Sequence, residues 1–191
     1  TGIERIRYIT SHPRDMTEEL MRAHRDIEKL QPYLHLPVQS GSDKILKEMN
    51  RNYSSQEYID IIDKTREYKQ DIAISGDFIV GFPGETDDDF EATLDIVKRV
   101  KYAHAYSFKY SPRPGTPAAL KDDQIDEEVK SERLKTLQDL IRQQTRDFNS
   151  SFFEKEINVL IEKHGLGVNR LTGRSSYPVS YTHLRAHETY R

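Results

Sequence analysis

The spacing of apolar residues divides this chain into short β-prone runs, each followed by an amphipathic helix. Residues 5–10 form the first β-prone run, ending at Ser11-His12-Pro13. Asp15 with Glu18 three residues on then has the spacing of a capping box, and Leu20, Ala23, Ile27 and Leu30 would share one helix face. Residues 33–38 read as the next strand, closed by Gln39-Ser40-Gly41-Ser42. A short helix over 43–49 precedes a longer one capped by Ser54 with Glu57, whose inner stripe is Tyr58, Ile61, Ile62, Thr65 and Tyr68. Residues 72–80 are apolar enough for a strand buried on both faces. They end in Gly81-Phe82-Pro83-Gly84-Glu85, after which Thr86 with Asp89 caps a helix striped Phe90, Leu94, Val97 and Val100. A fourth strand pattern over 103–110 alternates His104, Tyr106, Phe108 and Tyr110 with smaller or charged residues. It exits into Ser111-Pro112-Arg113-Pro114-Gly115-Thr116. A long helix over 126–148 with Leu134, Leu137, Ile141 and Phe148 inward follows, and a strand at 157–161 opens something new.

Four successive strand-then-helix units predict an α/β fold with a parallel sheet, either a barrel or an open doubly wound one. About half of the 9 Gly and 8 Pro lie in the four strand exits, the end at which such folds place their ligands. The opposite connections, Gln31-Pro32 and Lys69-Gln70-Asp71, are plain. The candidate site is therefore expected at the strand exits.

Composition narrows the chemistry. The chain has 191 residues, 29 Lys+Arg against 32 Asp+Glu, and a net charge of -3, which excludes a dominant polycationic arm or acidic tail. Its length suffices for one core and part of a second domain. No apolar run approaches the roughly 20 residues of a membrane span, and the opening Thr-Gly-Ile-Glu-Arg has no leader character, so the expectation is a soluble, cytoplasmic, internal fragment. There are 0 cysteines. Disulfides, a Cys nucleophile, a thiolate zinc site and cluster ligation by this stretch are thereby excluded.

At the exits, Gln39-Ser40-Gly41-Ser42 offers an amide and two hydroxyls that suit ribose or carboxylate, or else Ser42 simply caps the short helix. Gly81-x-x-Gly84 leads into a helix N-terminus, as a phosphate cradle would, but lacks the residues of a P-loop and reads more readily as structural punctuation. Asp77 interrupts an apolar strand, where a carboxylate needs a partner, and is expected to face the lumen. Arg113 between two prolines is rigid enough to recognise phosphate or a nucleobase, or is a solvated connector. Asp87-Asp88-Asp89 reads as a helix start favoured by the dipole. His183 and His187 have i,i+4 spacing without a third ligand and are not taken as a metal site.

Together, Thr10-Ser11-His12-Pro13, His35-Leu36-Pro37-Val38-Gln39-Ser40-Gly41-Ser42, Met49-Asn50-Arg51, the run from Asp77 to Thr86 and the run from Tyr110 to Thr116 strongly resemble the radical S-adenosylmethionine methylthiotransferases. The first and last motifs are most like the branch that methylthiolates isopentenyladenosine beside the tRNA anticodon. The resemblance covers residues 3–174. It implies the C-terminal part of a partial (β/α) barrel over 1–150, the start of a small TRAM-like RNA-binding β-barrel over 151–177, and a non-native tail over 178–191.

By the same resemblance, Gln39, Ser40, Arg51, Asp77, Gly81, Phe82, Tyr110, Ser111 and Pro112 would line an S-adenosylmethionine pocket, with Glu85 structural. Arg113, Lys163, Arg170 and Arg174 would meet tRNA. The family uses one iron–sulfur cluster to cleave S-adenosylmethionine to a deoxyadenosyl radical and a second to deliver sulfur. The ligands of both 4Fe-4S clusters are absent from this chain, which implies a fragment inactive alone; it is expected to be monomeric and free of the membrane. The alternatives are a sister methylthiotransferase acting on threonylcarbamoyladenosine or a ribosomal protein, a non-radical barrel binding phosphate, and a stand-alone RNA-binding module.

Overall fold

The computed structural model describes residues 2–9, 12–164, 170–177 and 180–185, with Arg170 and 180–185 described by backbone alone. Strands β1 (Tyr33–His35), β2 (Ala73–Val80) and β3 (His104–Lys109) form a parallel sheet in the order β1-β2-β3. Leu34 lies opposite Ile74, and Gly76 opposite Ala105. Parallel neighbours require long crossovers, and here these are helical. Helices α2 (Asp43–Glu48) and α3 (Ser55–Tyr68) join β1 to β2, and α4 (Asp87–Val100) joins β2 to β3. Before the sheet lies α1 (Glu18–Asp26), and after it α5 (Glu127–Ser150).

Period-two alternation splits the strands between two faces. Leu34, Phe78 and Val80 are fully buried and pack under the helices with Ile62, Val97 and Leu137. Within that core the Tyr58 hydroxyl donates to the Leu36 carbonyl at 2.8 Å and pairs with the Tyr102 hydroxyl at 2.9 Å, so neither phenol tip is left unsatisfied. The other face carries Tyr33 and His35 from β1, Ser75, Asp77 and Ile79 from β2, and His104, Tyr106 and Phe108 from β3. It is the concave wall of a partial barrel, open rather than closed.

The two capping boxes read from the sequence, Ser54 with Glu57 and Thr86 with Asp89, are both formed. Four other expectations need correction. Residues 5–10 do not make a strand: Ile6 forms one isolated bridge to Leu30, and Thr10 and Ser11 lie outside the described residues. Asp15 does not cap α1; it ends a 3-10 turn, Pro13–Asp15, capped by His12, and Thr17 caps the helix. The buried face of α1 is therefore Met21 and His24, while Ile27 is 45% exposed. Pro13 favours the short turn because it fixes φ there and lacks an amide to donate. Finally, the strand expected at 157–161 runs instead over β4, Val159–His164.

That strand is not a lone edge. β4 pairs antiparallel with β5 (Arg170–Ser175), and β5 with β6 (Ser180–Arg185), so part of the segment expected to be a tail completes a three-stranded sheet. His187 and the His183 side chain lie outside the described residues. Among the described residues no helix is long and apolar enough to cross a membrane.

Candidate functional site

The β1 and β2 exits are cross-linked to each other. Gly41 sits so close to α4 that a β-carbon there would lie 2.2 Å from the Ala92 carbonyl oxygen; its amide donates to the Thr93 hydroxyl at 3.0 Å. The glycine makes room for a helix, not for a ligand. Ser40 is fully buried, with its hydroxyl 3.3 Å from that of Thr93 and accepting the Ser42 amide. Ser42 caps α2 and donates to Asp89 Oδ1 at 2.6 Å. Lys44 Nζ reaches Asp89 Oδ2 at 2.8 Å and the Gly84 carbonyl at 2.7 Å. Against the upward push of burial, hydrogen bonds from Lys44, Ser42 and Thr86 hold the Asp89 carboxyl far below the usual carboxylate range.

The turn from Gly81 to Thr86 consumes its own donors. Gly81 adopts φ 72°, a conformation glycine enters at no steric cost, with the Lys130 stem packed where a side chain would stand. Its amide donates to Glu85 Oε1 at 2.9 Å. The Gly84 amide donates to the Asp123 carbonyl, the Glu85 amide to the Phe82 carbonyl, and the Thr86 amide to Asp89. Four amides of this turn are thus committed within the protein, which favours punctuation over a phosphate cradle. Glu85 is 3% exposed and paired with Arg133 at 2.8 Å. Burial pushes its carboxyl up, against the opposing pull of the Gly81 amide and Arg133.

Gln39, Phe82 and Tyr110 all stand at the carboxyl ends of the strands. Gln39 holds φ 75°, its backbone bridging Asp77 and Ile79 of β2, and its side-chain amide has no hydrogen-bond partner among the described residues. The Tyr110 amide donates to the Val80 carbonyl at 2.8 Å, and its ring packs edge-on against Phe82 at 5.0 Å. The Tyr110 hydroxyl is buried without a partner, an uncompensated cost that a bound polar ligand would remove.

On the flank, the His12 ring stacks edge-on against Tyr53 at 5.1 Å. Burial and then the nearby Arg51 guanidinium push the His12 pKa down. Arg51 itself has no carboxylate partner among the described residues. Deeper on the concave wall, Asp77 Oδ2 stands 3.5 Å from His35 Nε2, and His35 Nδ1 and the Tyr33 hydroxyl both lie 2.7 Å from the Ser75 hydroxyl. Asp77 does face the open side, as expected. Ser111, Pro112 and Arg113 are exposed beyond β3, and the Arg113 guanidinium makes no hydrogen bond among the described residues.

The expected tRNA contacts do not gather in one place. Lys163 and Arg174 lie on the small sheet, and the Arg170 side chain is outside the described residues. This sheet docks at the opposite end of the strands from Arg113. The Tyr177 hydroxyl donates to Asp71 Oδ2 at 2.7 Å, just before β2, and Arg7 lies 5.4 Å over the ring of Tyr33, which opens β1. Thr93, Lys44, Lys130 and Arg133 were missed by sequence reasoning. Only the inward helix positions of Thr93, Lys130 and Arg133 hinted at them, and nothing local marked the exposed Lys44, since each acts across a tertiary contact.

Residues 1–97 match the family model of the radical SAM superfamily. The chain belongs to that superfamily. A tRNA-2-methylthio-N(6)-dimethylallyladenosine synthase from Maricaulis maris (strain MCS10) is 60% identical over 176 residues, which is 92% of this chain and 39% of that relative; the chain thus spans well under half of the relative's length. Coproporphyrinogen III oxidase (HemN) from Escherichia coli, described as a radical SAM enzyme, is 21% identical with a TM-score of 0.56. The overlap covers 70% of this chain and 31% of that one and supports the superfamily's α/β fold. The chain's own residues fit the superfamily's two cofactors unequally. The Tyr110 hydroxyl, buried without a partner among the described residues, suits a polar nucleoside, whereas with 0 cysteines nothing here fits a thiolate-ligated cluster.

Proposed function

We propose that this chain is the S-adenosylmethionine- and substrate-facing part of a tRNA methylthiotransferase that acts on isopentenyladenosine beside the anticodon. The 60% identity to the Maricaulis maris synthase over 92% of the chain carries the proposal. The strand exits add a physical argument. Gln39, Phe82 and Tyr110 stand at the carboxyl ends of β1, β2 and β3, Arg51 follows α2, and Asp77 lies on the open face of β2. Tyr110, backed by the buried Phe82 ring, offers an apolar surface for adenine, and the Tyr110 hydroxyl, the Gln39 amide and the backbone of Ser111 and Pro112 offer polar contacts. Ser40 and Gly81 act by holding the two loops in place, since their own polar groups are committed internally. When bound together with a cluster held elsewhere, S-adenosylmethionine supplies radical chemistry; this chain orients it and excludes water. Arg113 at one end of the strands and Lys163, Arg170 and Arg174 at the other would hold an extended RNA rather than a single nucleotide.

Two measurements test this. Calorimetric titration of the chain with S-adenosylmethionine should show binding that weakens about tenfold in Tyr110→Phe, if the buried hydroxyl regains a partner from the ligand. Mass spectrometry of tRNA from cells lacking the gene should show isopentenyladenosine without its methylthio group. Loss of the methylthio mass from threonylcarbamoyladenosine or from a ribosomal protein instead would overturn the assignment of substrate.

A further inference from the structure

β3 is an edge strand: among the described residues its outer side pairs with nothing. A cleft of about 590 Å³ runs along that edge between the strand and α5. Two of its walls are aromatic rings left bare, Tyr106 at 54% and Phe108 at 55% exposure. Across the free edge of the strand from them, α5 contributes Gln138, Arg142, Thr145 and Arg146. The lining contains two arginines and no carboxylate. Arg142 is held on its helix by Asp139 and Arg146 by Gln143, at 2.8 Å, so both guanidinium groups are pre-positioned with donors to spare.

We infer that this cleft is a nucleotide subsite for single-stranded RNA. A base would stack on Tyr106 and Phe108, and the adjoining phosphates would meet Arg142 and Arg146. Stacking platforms beside a cationic groove are how proteins grip unpaired strands without reading sequence. The inference rests on the tRNA reading above and supplies what that reading lacks. Arg113 and the small sheet stand at opposite ends of the strands, and the cleft spans the flank between them. Lys109 and Glu127 close its upper end at 2.9 Å. Phe148, a turn beyond Thr145, meets Tyr177 of the small sheet at 6.1 Å at its lower end.

The test is fluorescence anisotropy of a short labelled single-stranded RNA with the 191-residue chain across a salt series. Tyr106→Ala should weaken binding about tenfold, and Tyr106→Phe, which keeps the ring, should stay within about twofold. Arg142→Gln with Arg146→Gln should weaken it about tenfold and flatten the logarithmic salt slope by about 1.4, the share of two phosphate contacts on a single strand. All three positions are exposed, and circular dichroism should show each variant folded. Unchanged affinity and slope in both the alanine and the double-arginine variants, with binding abolished by Lys163→Gln and Arg174→Gln, would overturn the inference and leave the tRNA reading intact. Absence of any RNA binding would overturn both.

Discussion

The wall made by the β1 and β2 exits and the loop that follows β3 border the same opening yet are built in opposite ways. The wall is cross-braced: Thr93, Asp89, Lys44, Glu85 and Arg133 take up nearly every polar group that the two loops present. The β3 exit carries two prolines, an exposed Arg113 and two local bonds, from the Thr116 amide and hydroxyl to the Arg113 carbonyl at 3.1 and 2.8 Å. Stiffness on one side comes from tertiary hydrogen bonds and on the other from covalent constraint of φ. A site can thus offer a fixed seat for a cofactor and, beside it, a restrained but accessible face for a large substrate.

The contrast can be broken most severely at Arg133. Replacing it with Met strands the Glu85 carboxyl and should cost about 4 kcal/mol in urea unfolding. Combining it with Glu85→Leu should recover most of that, because the unpaired charge is then gone. Gly41→Ala should cost about 3 kcal/mol, since the new methyl group collides with backbone that cannot yield; a loss under about 0.5 kcal/mol would show that α4 is free to shift.

The N-terminal flank sharpens the comparison through pH. His24 is 3% exposed and its Nε2 lies 2.7 Å from the Tyr8 hydroxyl. Burial pushes its pKa from 6.5 down to about 4. The unfolded chain takes up this proton first as pH falls, so the contribution is complete above pH 6.5 and is lost down to about pH 4, for a total of about 3 kcal/mol. Comparing urea midpoints at pH 7 and pH 4.5 with those of His24→Gln should show the histidine chain losing more.

Ser42→Ala should cost about 1.5 kcal/mol, one charge-assisted hydrogen bond and a helix cap. At the small end of the scale, Arg113→Ala should leave stability within about 0.5 kcal/mol while reducing RNA affinity. A large stability loss there would erase the distinction between wall and loop.

Much of this was readable locally. The capping boxes at Ser54 and Thr86, the buried strand before Gly81 and the alternation of His104, Tyr106 and Phe108 each depend on residues within a few positions of one another. The errors arose where distant chain decides. Residues 5–10 look like a strand by composition, yet β pairing needs a partner in register and only Ile6 finds one. Gly41 sits in a loop whose groups suit a ligand, but what it accommodates is the Ala92 carbonyl more than fifty residues away. Asp15 had the spacing of a cap, and Pro13 moved the helix start to Thr17. Among the candidate site residues, Asp77 lies on the open face of β2, whereas Ser40 turns inward, because a hydroxyl's direction is set by the loop and not by its neighbours in sequence.

The single bridge at Ile6 has a bearing on how the molecule breathes. The Ile6 amide and carbonyl, bonded to Lys29 and Gln31 at 2.8 and 2.9 Å, lie between Arg5 and Arg7, whose guanidinium groups grip the carbonyls of Arg174, Ser175, Ser176 and Tyr177. Fraying of the N-terminal segment therefore loosens half of the small sheet's mooring at the same moment, leaving chiefly Tyr177 on Asp71 and its ring contacts with Phe148 and Phe152. In hydrogen exchange, the amides of Ile6 and Gln31 and those of β5 should open together as one cooperative unit, well before the amides of β2.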